Sequence, residues 1–319
     1  MNRILVIQTA FLGDVILATP VVSELHRLYP DASIDVLVKK GNESLLENNP
    51  KLNAVHVFNK KDGKLKGVSA LIKTFRKNNY DLVINLHRFG SSGIIAGFSG
   101  GKKVIGFKKN PFSFLYTEKY DHQIGDGTHE VERNLSLIRK LGGKKSVRPE
   151  LYPSETDHEK VHPYAQGKYV TMAPASVWFT KQLPKEKWTE LIEQQSEDTT
   201  IYLLGAPGDK ALCNELISLA NSSNVVNLAG ELTLLQSAAL MQNAQMNFVN
   251  DSGPLHLASS MNAPTTAFFC STVPSFGFGP LADISIVKEV NGLDCRPCGL
   301  HGHKECPKGH FKCGYDISI

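Results

Sequence analysis

Two strand-to-helix junctions carry the residues best suited to chemistry. Asp14 ends the run Gln8-Thr9-Ala10-Phe11-Leu12-Gly13-Asp14, directly after the apolar Ile4-Leu5-Val6-Ile7. A lone carboxylate there can cap a helix or act as a general base toward an attacking hydroxyl. The second junction, Asp251-Ser252-Gly253-Pro254-Leu255-His256, follows Met246-Asn247-Phe248-Val249. Ser252 and Gly253 leave backbone N–H groups at a helix start, where the helix dipole favours an anion. Pro254 suits the first helical turn, and His256 either donates to a phosphate or sits in the core as an ordinary histidine. Asp251 belongs to the same donor-side set. Lys181, in Ser176-Val177-Trp178-Phe179-Thr180-Lys181, is a candidate to balance charge on a departing diphosphate. Asp209 in Gly205-Ala206-Pro207-Gly208-Asp209 either accepts from ribose hydroxyls or caps the helix that follows. Together these residues suggest an enzyme that moves a group off a nucleotide.

The elements that must position them alternate along the chain. In the first half, strand-like runs rich in Val and Ile fall at Arg3–Gln8, Ile34–Val38, Val55–Phe58, Asp81–Leu86 and Lys103–Phe107. Helices are expected at Val15–Leu28, Glu43–Asn48, Gly67–Asn78 and Glu130–Leu141, with Asp14 just before the first. Residues Lys144 to Gly167, with three prolines, read as a linker. The rhythm then restarts, with strands at Tyr169–Ala173, Thr200–Leu204, Val225–Leu228, Met246–Val249 and Thr265–Cys270. Helices follow at Lys185–Gln195, Lys210–Asn221, Leu234–Asn243 and Leu255–Ser260. Such alternation predicts two doubly wound parallel sheets, in domains 1–155 and 156–319, with ligands at the carboxyl ends of facing strands across a cleft.

Composition narrows the classes. A hydrophobic share of 41% against 21% charged residues describes a globular chain, and a net charge of +4 is far from a dedicated nucleic-acid binder. No apolar run approaches the ~20 residues that span a bilayer, and no secretory leader is visible, so a cytoplasmic protein is expected. Local basic clusters, Lys60, Lys61, Lys64 and Lys66, then Lys102, Lys103, Lys108 and Lys109, are either solvated loops or a face for an anionic acceptor or membrane. Arg88 is a further basic candidate on the acceptor side. Cys295 and Cys298, a CxxC pair, with Cys306 and Cys313 and interleaved histidines, read either as a structural zinc site or as reduced thiols. No GxGxxG follows the first strand and no GxxxxGK[ST] occurs, which argues against dehydrogenase and P-loop kinase readings.

The chain resembles the ADP-heptose:lipopolysaccharide heptosyltransferases, glycosyltransferase family 9. The likeness rests on Gln8–Val15, His129-Glu130-Val131-Glu132-Arg133-Asn134, Lys181-Gln182-Leu183-Pro184 with Trp188, Asn250–His256, and the tail around Cys295, Cys298 and Cys306–His310. It implies the GT-B fold, with two Rossmann-like domains, the acceptor mainly on the first and the nucleotide sugar mainly on the second. It also implies inverting transfer without a required cofactor or catalytic metal. By that likeness Asp14 is the base and Lys181 steadies the leaving diphosphate. Ser176, Ser252, Gly253 and His256 hold phosphates, Asp209 meets the ribose, and Leu232 packs on the nucleobase. Lys60, Lys61 and Lys64 meet the acidic core sugars. Expected partners are the nucleotide-sugar donor ADP-heptose, the lipopolysaccharide core and, peripherally, the inner membrane; no nucleic acid is expected. Transfer of another sugar from another nucleotide, a non-catalytic two-domain binding protein, and a zinc-dependent interaction tail on an inactive scaffold are the rival readings.

Overall fold

The computed structural model describes residues 1–59, 64–220 and 222–319. Two compact units divide the chain. One is Met1–Ile124 with Thr128–Tyr152; the other is Gly125–Gly127 with Pro153–Ile319.

In the first unit the order is β1 (Arg3–Gln8), α1 (Leu12–Ile16), α2 (Thr19–Leu28), β2 (Ser33–Lys39), β3 (Ala54–Phe58), α3 (Lys64–Asn78), β4 (Leu82–Asn85), α4 (Gly90–Phe98), β5 (Lys103–Phe107), β6 (Glu118–Tyr120) and α5 (Glu130–Ser136). All six strands pair in parallel, in the order β3-β2-β1-β4-β5-β6. Successive strands run outward on one side of β1, then return to its other side with β4. The crevice between β1 and β4 is therefore the topological switch point, where open α/β sheets bind ligands beyond the strand carboxyl ends.

The second unit holds α6 (Glu155–Val161), β7 (Lys168–Ala173), α7 (Lys185–Glu193), β8 (Thr199–Leu203), α8 (Lys210–Leu219), β9 (Val225–Asn227), α9 (Leu234–Gln242), β10 (Asn247–Asn250), α10 (Gly253–Ser260), β11 (Thr265–Phe269), β12 (Ser285–Glu289) and α11 (Lys312–Tyr315). Its six parallel strands run β12-β11-β10-β7-β8-β9, so the switch point lies between β7 and β10.

Central strands are apolar on both faces because helices cover both. Leu5, Ile7, Leu37 and Val83 meet Phe58, Phe75, Tyr80 and Ile95 in the first unit. In the second, Val170, Met172, Ile201 and Phe268 meet Trp188, Leu191 and Leu216. Each such fully buried side chain contributes about 1.5–3 kcal/mol. The C-terminal segment joins this second core through Phe311, Cys313 and Ile317, so it is a packed part of the unit.

Several expectations are corrected. The first helix is broken into α1 and α2: Pro20 lies in the first turn of α2 and has no N–H to continue the ladder, and the Thr19 hydroxyl takes the Ile16 carbonyl at 2.8 Å. Asp14 stands inside α1 and not before it. The stretch after Lys144 is not all linker, for Ser154 and Asp157 form a capping box that starts α6. Helix α4 and the edge strands β6 and β12 were not expected. Among the described residues no helix is long and apolar enough to cross a membrane.

Candidate active site

In the first unit, the loops after β1 and β4 are joined across the switch point. Thr9 Oγ1 lies 2.8 Å from His87 Nδ1. The loop carrying Arg88 is braced from beneath by Asn110, whose amide donates to the carbonyls of His87 and Phe89 at 3.0 Å each. That brace requires Gly93 in α4: a Cβ there would stand 2.0 Å from Asn110 Oδ1. A helix-interior glycine costs about 1 kcal/mol against alanine, here offset by the close approach.

Asp14, partly exposed, turns its carboxylate back so that Oδ2 accepts the Phe11 N–H at 3.1 Å. Burial pushes its pKa up to about 6, and the nearby Glu130 carboxylate pushes the same way; the Phe11 N–H and Arg88 oppose them. Glu130, at the start of α5, is buried with Arg133 and His122 against its carboxylate. Arg133 Nε donates to it at 2.7 Å and His122 Nε2 lies 3.2 Å away. Burial alone would raise the Glu130 pKa, yet His122 and Arg133 hold it below the usual carboxylate range. A second, ionised carboxylate thus stands near the first. Glu130 was part of a quoted sequence motif but not of the expected site; the signal was an acidic residue in a helix's first turn with Arg three positions on. Lys60 and Lys61 lie outside the described residues, as does the side chain of Lys64, whose backbone opens α3.

In the second unit, Lys181 and Asp251 meet at the switch point. Lys181 Nζ lies 2.7 Å from Asp251 Oδ2, with side-chain exposures of 16% and 8%. The Thr272 hydroxyl, beyond β11, donates to the same Oδ2 at 2.6 Å. Asn250 fixes the two loops against each other. Its Oδ1 accepts the Leu183 N–H at 2.9 Å, and its Nδ2 donates to the Pro174 carbonyl at 2.8 Å. The Lys181 loop is closed by Gln182 Nε2 donating to the Ser176 carbonyl at 2.7 Å. Ser176, Ser252 and Gly253 are half-buried, and His256 is buried within α10. Ser252 and Gly253 open α10 at the same strand end as Asp251. Thr272 and Asn250 were not singled out as site residues, because a loop hydroxyl and an amide closing β10 give no spacing signal.

Asp209 and Leu232 stand past β8 and β9, one and two strands from β7. The loops that carry them are tied by Gly230 N–H donating to Gly205 O at 2.9 Å. The Asp209 carboxylate accepts the Ala206 N–H at 2.8 Å, so it stabilises its own turn. A polar groove of about 550 Å³, lined by Asn2, Arg3, Ser33, Asp81 and Lys102 among others, lies at the opposite, amino-terminal end of the first sheet, away from these residues.

The four zinc candidates are near neighbours: Cys306, Cys295 and Cys298 each act electrostatically on Cys313. Among the described residues no group of three or more His, Cys, Asp or Glu side chains is arranged to hold a metal ion. Cys295 Sγ lies 3.9 Å from His310 Nε2, while Cys313 is committed to the hydrophobic core and Cys306 packs against it. Burial pushes the Cys313 thiol up to about 11, and the neighbouring cysteines push the same way.

A family description, Glycosyltransferase family 9 (heptosyltransferase), matches residues 68–310. Lipopolysaccharide heptosyltransferase 3 of Escherichia coli K12 is 30% identical over 285 residues, covering 82% of this chain and 80% of that protein. The glycosyl transferase family 9 structure from Veillonella parvula superposes with a TM-score of 0.81 at 21% identity, covering 90% of this chain and 85% of that one. E. coli ADP-heptose lps heptosyltransferase II superposes with a TM-score of 0.78 at 23% identity, covering 93% and 96%. The two sheets share the GT-B fold of those structures, and the chain belongs to glycosyltransferase family 9, the heptosyltransferase family.

Proposed function

We propose that this glycosyltransferase moves a heptose from ADP-heptose onto the lipopolysaccharide core, with inversion at the anomeric carbon. The observation that carries the mechanism is the pair of switch points. One holds a carboxylate whose proton affinity is raised to about 6; the other holds a lysine locked to Asp251. Single displacement needs both chemistries. The acceptor oxygen bonds to the anomeric carbon and gives its proton to Asp14, while the bond to the diphosphate breaks and its electron pair leaves with ADP. Lys181 balances the charge that builds on the departing diphosphate. Ser252 and Gly253, at the start of α10, offer backbone N–H groups to the same phosphates. The donor and acceptor follow the E. coli proteins named above. A lipid-linked acceptor implies work at the cytoplasmic membrane face. Lys66, Lys73, Arg76 and Lys77 give α3 an exposed basic surface suited to anionic lipid.

The test is to incubate the protein with ADP-heptose and a heptose-deficient lipopolysaccharide core. The acceptor is expected to gain the mass of one heptose as ADP is released. A gain seen only with another nucleotide sugar would overturn the donor, and no gain with any acceptor core would overturn the substrate class.

A further inference from the structure

Three consecutive residues of the Lys181 turn are each touched by the C-terminal tail. Phe311 packs on Phe179, ring centroids 5.2 Å apart. Thr180, 1% exposed, is bonded through every polar group it has: its N–H donates to His303 O at 3.1 Å, its hydroxyl accepts the His303 N–H at 2.8 Å, and its carbonyl accepts the Ser271 N–H at 3.1 Å. Gly302 lies against Lys181 itself. A Cβ at Gly302 would stand 3.0 Å from Lys181 Cγ, 3.0 Å from Thr180 Oγ1 and 3.2 Å from Ser271 Oγ. Gly302 also has φ +77°, a conformation glycine adopts without strain.

The tail is in turn anchored to the strand end that orients Asp251. Arg296 donates to the carbonyls of Phe269, Cys270 and Thr272 at 3.1, 2.7 and 2.6 Å, and the Cys298 N–H donates to Ser271 O at 2.7 Å. Thr272 is the residue whose hydroxyl holds Asp251. The tail therefore braces both partners of the Lys181–Asp251 pair, one by direct packing and the other through Thr272.

We propose that the Gly302–His303 segment is a positioning device for Lys181, fixing where its ammonium group meets the departing diphosphate. The idea rests on the functional reading above, in which Lys181 acts on the leaving group. A lysine has four side-chain torsions; the Asp251 ion pair holds the ammonium end, and a wall along the stem limits the torsions nearer the backbone. Gly302 supplies that wall at Cγ, and the two His303 hydrogen bonds keep the preceding residue from rotating. Misplacement of such a group by about 1 Å can cost up to 10²-fold in rate.

The experiment is a double-mutant cycle in the full-length protein, with kcat and donor KM measured for heptosyl transfer and melting temperature measured alongside. Gly302→Ala is expected to lower kcat about 10- to 100-fold with donor KM changed little. Thr180→Val, which removes the acceptor for His303, should follow it, while Thr180→Ser keeps the hydroxyl and should retain near-full kcat. The deciding variant is Gly302→Ala combined with Lys181→Ala. If Gly302 acts through Lys181, the double variant is no slower than Lys181→Ala alone. Losses that multiply would overturn the proposal, as would a Gly302→Ala enzyme at full kcat beside an impaired Lys181→Ala. Should Gly302→Ala fail to fold, the same cycle run with Thr180→Val decides in the same way. A fully active Lys181→Ala enzyme would overturn the leaving-group reading itself, and the positioning role with it.

Discussion

A general base works best when its proton affinity sits near the working pH, and Asp14 is shifted in that direction. Its carboxyl is raised to about 6 by burial and by Glu130, so the base form is reached only as pH rises through that value. The rate kcat/KM is expected to climb through an acid limb near pH 6. Glu130→Gln removes a neighbouring negative charge and should move that limb to lower pH; a limb that stays put would remove Glu130 from the account. The same shift has a stability consequence. A carboxyl whose folded pKa lies above its unfolded value of 3.8 favours folding while protonated, and that contribution is lost as pH rises from about 4 to 6. Asp14→Asn avoids the poorly solvated charge beside Glu130. It is expected to unfold at higher temperature than wild type at pH 7, by on the order of 1 kcal/mol in stability, with the gain vanishing near pH 4. Equal melting at both pH values would show that Asp14 is not strained by its surroundings. At this scale Asp14 is a candidate from its junction, while Lys181, in a loop, takes its weight from the family resemblance. The sequence could not show Glu130 beside Asp14 or Thr272 on Asp251, because those neighbours come from distant segments.

Among elements, the legible ones are those whose burial is uniform. Strands covered on both faces, such as β1 and β4, read as near-continuous apolar runs; β7 and β10 bury Thr171, Asn247 and Asn250 among their apolar residues, and Thr171 donates to Asn247. The edge strands β6 and β12 lack such runs, since Glu118–Tyr120 and Ser285–Glu289 alternate or lie exposed. Helix α4 reads as a loop because Gly-Ser-Ser-Gly opens it. Its small residues serve packing: Gly93 admits Asn110, and a Cβ at Gly97 would meet Leu115 at 2.6 Å. Gly93→Ala should therefore destabilise the protein by about 1–3 kcal/mol and also weaken acceptor binding, since Asn110 would lose its hold on the loop carrying Arg88. A thermal melt with acceptor KM checks both. Asn250→Ala leaves the buried Leu183 N–H without an acceptor and is expected to cost about 1–3 kcal/mol. An unchanged melt would mean that the loops around Lys181 are held by other bonds.

For the molecule as a whole, the repeat of one β/α rhythm told most: strands separated by helices, twice over, require two parallel doubly wound sheets. Which strands flank each switch point was not legible, because sequence order does not state pairing order. In the tail, Cys313 and Phe311 close the core of the second unit, a packing role that the cysteine spacing does not announce. Asp14 and Lys181 belong to different units, so nucleotide binding and proton transfer should separate in mutants. ADP is expected to raise the melting temperature, by about 2.7 kcal/mol of stabilisation at a hundredfold excess over its Kd. Lys181→Ala should lose part of that shift and Asp14→Ala none. The most direct test of the central claim is acceptor-dependent release of ADP from ADP-heptose, compared between wild type and Asp14→Ala. The account expects release that requires the acceptor and falls about 10²- to 10⁴-fold in the variant while ADP binding is retained. Release that persists in Asp14→Ala at the wild-type rate would contradict it and leave Asp14 as a helix-capping residue.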